Sequence, residues 1–273
     1  FHTVLQTQYA LGLSLTEESK SGRVLGRMQS IYQAGSLVAT AAILFVFLLA
    51  PSAYRPVFIV LGLIAIVGAT TMIGFPHLHE GKPGKLTLPP QRLVFKRDYR
   101  YFYYLNVLDG ARQQLFFSFG LWVLVNRFGL GVSAISLVLL ISITVAMVSA
   151  PWAGRMIDRH GERHVLSAIN IAYILALGGY ALANNVLLAC LFYVVYAFIS
   201  PLSAMGAATY LRKIAVPHDV PQSLAMGVTL LHITAIVVPV MAGVILNFVG
   251  YQVPFLIASG FAFIGIFVTL RLD

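Results

Sequence analysis

Two opposite charges, Asp109 and Arg112, stand three residues apart inside an otherwise apolar run. On a helix, positions 109, 112, 113 and 116 share one face through i, i+3 and i+4 spacing, so Gln113 joins the pair while Gln114 flanks it. At a rise of about 1.5 Å per residue, Arg112 lies roughly 16 Å from Tyr101, near the midplane if the run crosses a bilayer. Ionisable groups at that depth are costly and mark a solute or ion pathway. The chemistry offered is capture of an anionic group by the Arg112 guanidinium and carriage of a coupling proton by the Asp109 carboxyl. The other reading is an ion pair that neutralises itself and ties helices together. The two readings are compatible if exchange of solute or proton breaks the pair.

His232 lies at similar depth in a later run. It is a candidate proton relay or solute contact, or else a core histidine bonded to a backbone carbonyl. Gln6 is near the middle of the first, incomplete run, and Asn170 and Tyr173 share a helical face. Tyr196 reads as packing or interface anchoring, and Pro201 and Pro239 as sites of helix bending.

The elements that position these groups follow from composition. Hydrophobic residues make up 59% of the chain and charged ones 10%, against roughly a quarter charged in a soluble domain. Mean hydropathy is +0.86. The fold class expected is all-α, a polytopic membrane helix bundle, since spans of about 20 apolar residues recur and the alternation of an outer-membrane barrel is absent. Eight spans are read, over 31–49, 57–75, 101–125, 135–156, 165–183, 187–211, 223–249 and 252–270. Residues 1–15 read as the tail of another helix. If the spans alternate, Lys20, Arg23, Arg27, the basic residues of 82–100, Arg155, Arg159, Arg163, Arg212, Lys213 and Arg271 all fall on one side. Only Arg55 and Arg127 fall on the other. The positive-inside rule makes the rich side cytoplasmic.

The net charge of +9 does not point to nucleic acid, because the basic residues are spread over loops rather than forming a continuous phosphate-tracking patch. The single Cys190 allows no intramolecular disulfide, and no zinc-ligand spacing is present. Phosphate-binding loop, HExxH and GxSxG patterns are missing, so neither catalysis nor a metal or cofactor is expected. His218 and Asp219 read as helix capping.

An internal repeat organises the chain. Residues 7–26 laid without gaps on 208–227 align Tyr9 with Tyr210, Glu18 with Asp219 and Gly26 with Gly227. His232 then falls beside Tyr32 and Gln33, which places polar groups at matching points of both repeats. Parallel repeats suggest two halves of six spans. The division expected is 1–76 as the end of a first half, 77–98 as a cytoplasmic link and 99–273 as a complete second half. Roughly three further helices are expected before Phe1, by the parallel-half logic.

One charged segment lies between the fourth and fifth spans, from Gly154 through Asp158, Arg159 and Gly161 to Arg163. It reads as a loop in water, with Gly161 at a tight turn and Asp158 able to accept hydrogen bonds from a neighbouring helix N-terminus. The segment resembles the pattern Gly-x-x-x-Asp-Arg-x-Gly-Arg-Arg/Lys of the major facilitator superfamily. Gly154, Asp158, Arg159 and Gly161 match, Arg163 lies one place beyond the first family arginine, and Glu162 departs. The resemblance implies a loop that latches cytoplasmic helix ends in one conformation and releases them in another; a positive loop that only sets topology is the alternative. It further implies a secondary-active transporter working by alternating access, here for a small polar organic solute, anionic where it meets Arg112, with proton coupling. Protons and membrane lipids are the other expected partners, and the location expected is a bacterial inner membrane. The alternative function is a non-transporting receptor or assembly scaffold on the same fold.

Overall fold

Each apolar run becomes one α-helix, because in hydrocarbon the backbone must satisfy its own hydrogen bonds. The computed structural model describes residues 9, 12–13, 16–50, 54–73 and 95–272. Its long helices are α1 (Ser21–Leu49), α2 (Tyr54–Ile73), α3 (Arg100–Asn126), α4 (Val132–His160), α5 (Glu162–Leu182), α6 (Val186–Ile214), α7 (Val220–Val249) and α8 (Gln252–Thr269). Among the described residues six stretches are long and apolar enough to cross a membrane: Ser21–Val46, Ser133–His160, Glu162–Leu182, Val186–Ile214, Pro217–Val249 and Gln252–Thr269. Helix α3 is as long but too polar, since Asp109, Arg112, Gln113 and Gln114 interrupt its apolar run. Most of 1–15, together with 51–53, 74–94 and 273, lies outside the described residues.

Two compact units emerge. The first comprises 1–37 and 93–273, and the second 38–92. In the first, α5 packs on α8 and α6, α3 packs on α7, α8 and α6, and α4 lies against α6. Its core centres on Phe116, whose ring stacks on Tyr196 at 3.6 Å between centroids and lies 4.8 Å from Tyr193. Tyr180 packs edgewise there and donates from its hydroxyl to the Gly120 carbonyl at 2.6 Å. Both partners are buried, so Tyr180→Phe should cost about 1 kcal/mol of stability. The check is thermal unfolding in detergent, where a fall of about 2–4 °C is expected for that loss. In the second unit, residues 55–70 form an apolar helix with exposed Phe58, Ile59 and Leu63.

Local sequence sets the helix ends. The Asn185 side chain accepts from Leu188 N–H at 2.9 Å and caps α6. A 3-10 turn, Glu18–Lys20, precedes α1, and a second, Pro217–Asp219, precedes α7. The two turns overlap in the repeat alignment at Glu18 and Asp219.

The segment read as a charged loop is helical. Helix α4 continues through Gly154, Asp158 and Arg159 to His160, and α5 begins at Glu162. Only Gly161 breaks the two, with φ of 77°, a left-handed backbone that favours glycine. The apolar run ends near Met156, but the helix need not end with it. Arg159 and His160 in the last turn oppose the negative end of the helix dipole and sustain it.

Candidate functional site

Arg112 is 1% exposed. One terminal nitrogen donates to Asp109 Oδ1 at 2.7 Å and the other to Asn170 Oδ1 at 2.6 Å. Asn170 is fixed in turn by donating to the Leu166 carbonyl at 2.9 Å. The Tyr173 ring lies 4.2 Å from the guanidinium carbon, in cation–π range. Of the three guanidinium nitrogens, Nε has no hydrogen-bond partner among the described residues. Helices α3 and α5 therefore bring together Asp109, Arg112, Asn170 and Tyr173, four residues singled out by their sequence positions.

Beside this cluster is a cavity of about 270 Å³ between α1, α3, α4 and α6, its wall mostly apolar with polar groups set into it. Gln29, Gln33 and Gln113 supply amide groups, and Tyr9, Tyr32, Tyr193, Tyr196, Ser142 and Ser200 hydroxyls. Gln29 is buried and accepts from the Tyr9 hydroxyl at 3.4 Å. The Tyr196 hydroxyl ends near Ser200 without meeting hydrogen-bond geometry. Arg112 and Asp109 are not among the lining residues. The shared helical face read for 109, 112, 113 and 116 is split: Gln113 and Phe116 face the cavity, whereas Arg112 turns to α5. The wall between is aromatic, with Phe116 and Tyr196 in front and Tyr173 at 5.4 Å from Tyr196 behind.

His232 does not line this cavity; it is exposed on α7. Its depth along the chain was readable, but its direction around the helix was not. Gln6 lies outside the described residues. Sequence reasoning missed Gln29, Tyr193 and Ser200. Of these only Gln29, a polar residue one turn before Gln33 on the same helix, carried a readable signal. Among the described residues no group of three or more His, Cys, Asp or Glu could hold a metal ion.

On the arginine-rich side, Asp158 accepts from the backbone N–H of Gly22 at 2.7 Å and of Arg23 at 2.8 Å. These are orphan donors of the first turn of α1, where the helix dipole favours an anion. The approach requires small residues, because a Cβ on Gly154 would overlap the Gly22 carbonyl and a Cβ on Gly22 the Gly154 carbonyl. Three further bonds tie this end. Arg212 donates to the Thr16 carbonyl at 3.1 Å, Ser30 to the Met147 carbonyl at 2.8 Å, and Lys213 to Glu162 at 2.7 Å. Glu162, which departs from the family pattern, is thus the buried partner of a lysine on α6. Of the remaining motif residues, Arg159 and Arg163 are exposed.

Asp219, read as a capping residue, instead accepts from Lys96 Nζ at 2.5 Å and from the Tyr99 hydroxyl at 2.8 Å, joining the start of α3 to the start of α7. The hydrogen bond to Asp219 pushes the Lys96 ammonium above its usual value. A raised lysine contributes below its unfolded value of about 10.4 and is lost as pH climbs through the higher folded one, so the tie is complete at neutral pH.

An all-helical, membrane-spanning bundle with a charged and polar interior is the architecture of a multi-pass membrane transporter. A family model described as Major Facilitator Superfamily matches residues 102–273, well over half of the chain. The chain belongs to that family, whose members are typically transporters and not enzymes. A comparison with curated proteins returns no match.

Proposed function

We propose that this protein is a secondary-active transporter that moves a small polar organic solute by alternating access through the cavity beside Gln113. The observation that carries the reading is that cavity. Three glutamines, four tyrosines and two serines converge on one space inside an apolar bundle, where an assembly scaffold needs only apolar packing. Substrate sites of such transporters lie near the bilayer midplane between repeats. The two halves, 1–76 and 99–273 joined through 77–98, rock about it.

The Asp109–Arg112 pair is the charge-carrying element. Closed, it is neutral and needs no water. Protonation of Asp109 removes its negative charge and frees Arg112 to meet an anionic group that has passed Phe116 and Tyr196. Loss of the proton recloses the pair and expels the anion. This exchange couples proton and solute without leaving a bare charge in hydrocarbon. The gating residues Gly154, Asp158, Arg159, Gly161 and Arg163 tie the cytoplasmic ends in one state and release them in the other.

The test is uptake into proteoliposomes of a panel of small organic anions and neutral polar solutes, with and without a pH gradient. At least one anion should accumulate with the gradient, and Asp109→Asn should uncouple its uptake from pH. Normal gradient-driven uptake by Asp109→Asn removes the proton role. Absence of flux for every solute, with a stoichiometric partner retained through purification, favours the scaffold.

A further inference from the structure

Beyond the central cavity, two adjoining spaces form an amphipathic slot on the outer side of α4. The first is a groove of about 530 Å³ between α4 and α5 with α6 as its floor. Apart from His160 and His164 at one end, its lining is apolar, with Ala168 and Ala172 on α5 and Phe198 and Leu202 on α6. From His164 to Ala172 it follows eight residues of α5, about 12 Å of helix. The second space, about 520 Å³, contains Arg23, Arg155 and Arg159 with Ser19 and Asp158. Trp152 and Met156 line both, so the apolar groove and the arginine cavity adjoin along one ridge of α4.

We propose that this slot binds one anionic phospholipid, with its phosphate among Arg23, Arg155 and Arg159 and an acyl chain in the groove. Three observations specify an amphiphile of that charge. The three arginines are exposed, and among the described residues no carboxylate pairs with their side chains. The one carboxylate in their cavity, Asp158, has its two oxygens engaged by Gly22 and Arg23 N–H, so its charge is directed at a helix terminus. Trp152, 53% exposed, marks the level of the headgroups, where tryptophan collects. The arginine-rich side is also the leaflet whose surface is anionic. A soluble anion would use the arginines and leave the groove empty, and a zwitterionic lipid would fill the groove without the charge match.

The slot has a consequence for the latch. Arg23 belongs to α1 while Arg155 and Arg159 belong to α4, so one phosphate bridges the two helices that Asp158 joins. Bound lipid therefore stabilises the tied state. The proposal does not depend on what solute the protein carries.

Native mass spectrometry of the purified full-length protein tests it, by titration with dioleoylphosphatidylglycerol, dioleoylphosphatidylcholine or inorganic phosphate. The anionic lipid should be retained about thirtyfold more tightly than the zwitterionic one, from roughly two arginine contacts at the surface. Arg155→Gln/Arg159→Gln should erase that difference, and Ala168→Trp should weaken the anionic lipid by filling the groove. Arg271→Gln, which removes a charge on the same side but outside the slot, should change neither. Melting temperatures confirm that each variant is folded. Equal retention of the two lipids, or undiminished anionic lipid in the double arginine variant, overturns the proposal. Inorganic phosphate that displaces the lipid at equal concentration makes it a free-phosphate site, and unchanged binding in folded Ala168→Trp removes the groove; either result also overturns it.

Discussion

Arg112→Leu should abolish transport and destabilise the protein by about 3–5 kcal/mol, the usual result of removing one partner from a buried ion pair. The size follows from what is left behind. The Asp109 carboxylate, only 20% exposed, would lose its counter-charge, and Asn170 Oδ1 would lose its donor in a site that is itself 1% exposed. Arg112→Lys should keep the charge and still fail to bridge both, because one ammonium cannot reproduce the planar fork. The informative variant is the double, Asp109→Leu/Arg112→Leu. Exchange of a whole buried pair for apolar residues is often neutral or stabilising, so the melting temperature should recover most of the loss. Uptake should not recover, since the charge that opens and closes is gone. Recovery of both stability and uptake in the double variant would falsify a moving role for the pair and leave it as a tie between α3 and α5.

The pair illustrates what a sequence can and cannot convey about such a bundle. Charges inside an apolar run announce themselves, and the i, i+3 spacing of Asp109 and Arg112 does put them in contact. Asn170 and Tyr173 were readable as one face of a later helix, although not as the face that meets Arg112. Which way a side chain points around its helix is decided by packing, and periodicity is silent where nearly every position is apolar. That is why His232, at the right depth, lies outside the cavity, while Tyr193 and Ser200 line it. The same blindness hid the Glu162–Lys213 pair, whose partners sit 51 residues apart on different helices. Helix existence was legible because hydrocarbon forces every backbone group into an internal bond. Helix length was less so, because α4 carries its charged motif as a last helical turn and not as a loop. The acceptor role of Asp158 was legible for a different reason. A carboxylate in an otherwise basic segment at a helix end has few favourable destinations, and a helix N-terminus is the strongest of them.

That acceptor role makes the second large prediction. Asp158→Ala should shift the protein away from the tied arrangement of α1 and α4 by about 1–3 kcal/mol, the cost of orphaning two helix-terminal N–H groups and losing a charge at the dipole. Each 1.4 kcal/mol is tenfold in population, so a probe of cytoplasmic access should report a change of about five- to 150-fold. In a Cys190→Ser background, the thiol of a Ser142→Cys variant lines the central cavity, and its alkylation by an impermeant reagent from the cytoplasmic side reads that access. Alkylation should accelerate in Asp158→Ala and partly in Asp158→Asn, which keeps an acceptor oxygen but no charge. Gly154→Val should act in the same direction although Asp158 is intact, because its Cβ cannot coexist with the Gly22 carbonyl at the present helix separation. Opposite effects from the electrostatic and the steric variant, or alkylation as slow as in the parent when Asp158→Ala is folded, would mean that this crossing only sets topology. Agreement between them identifies the contact of α1 with α4 as the element whose two states expose the cavity in turn.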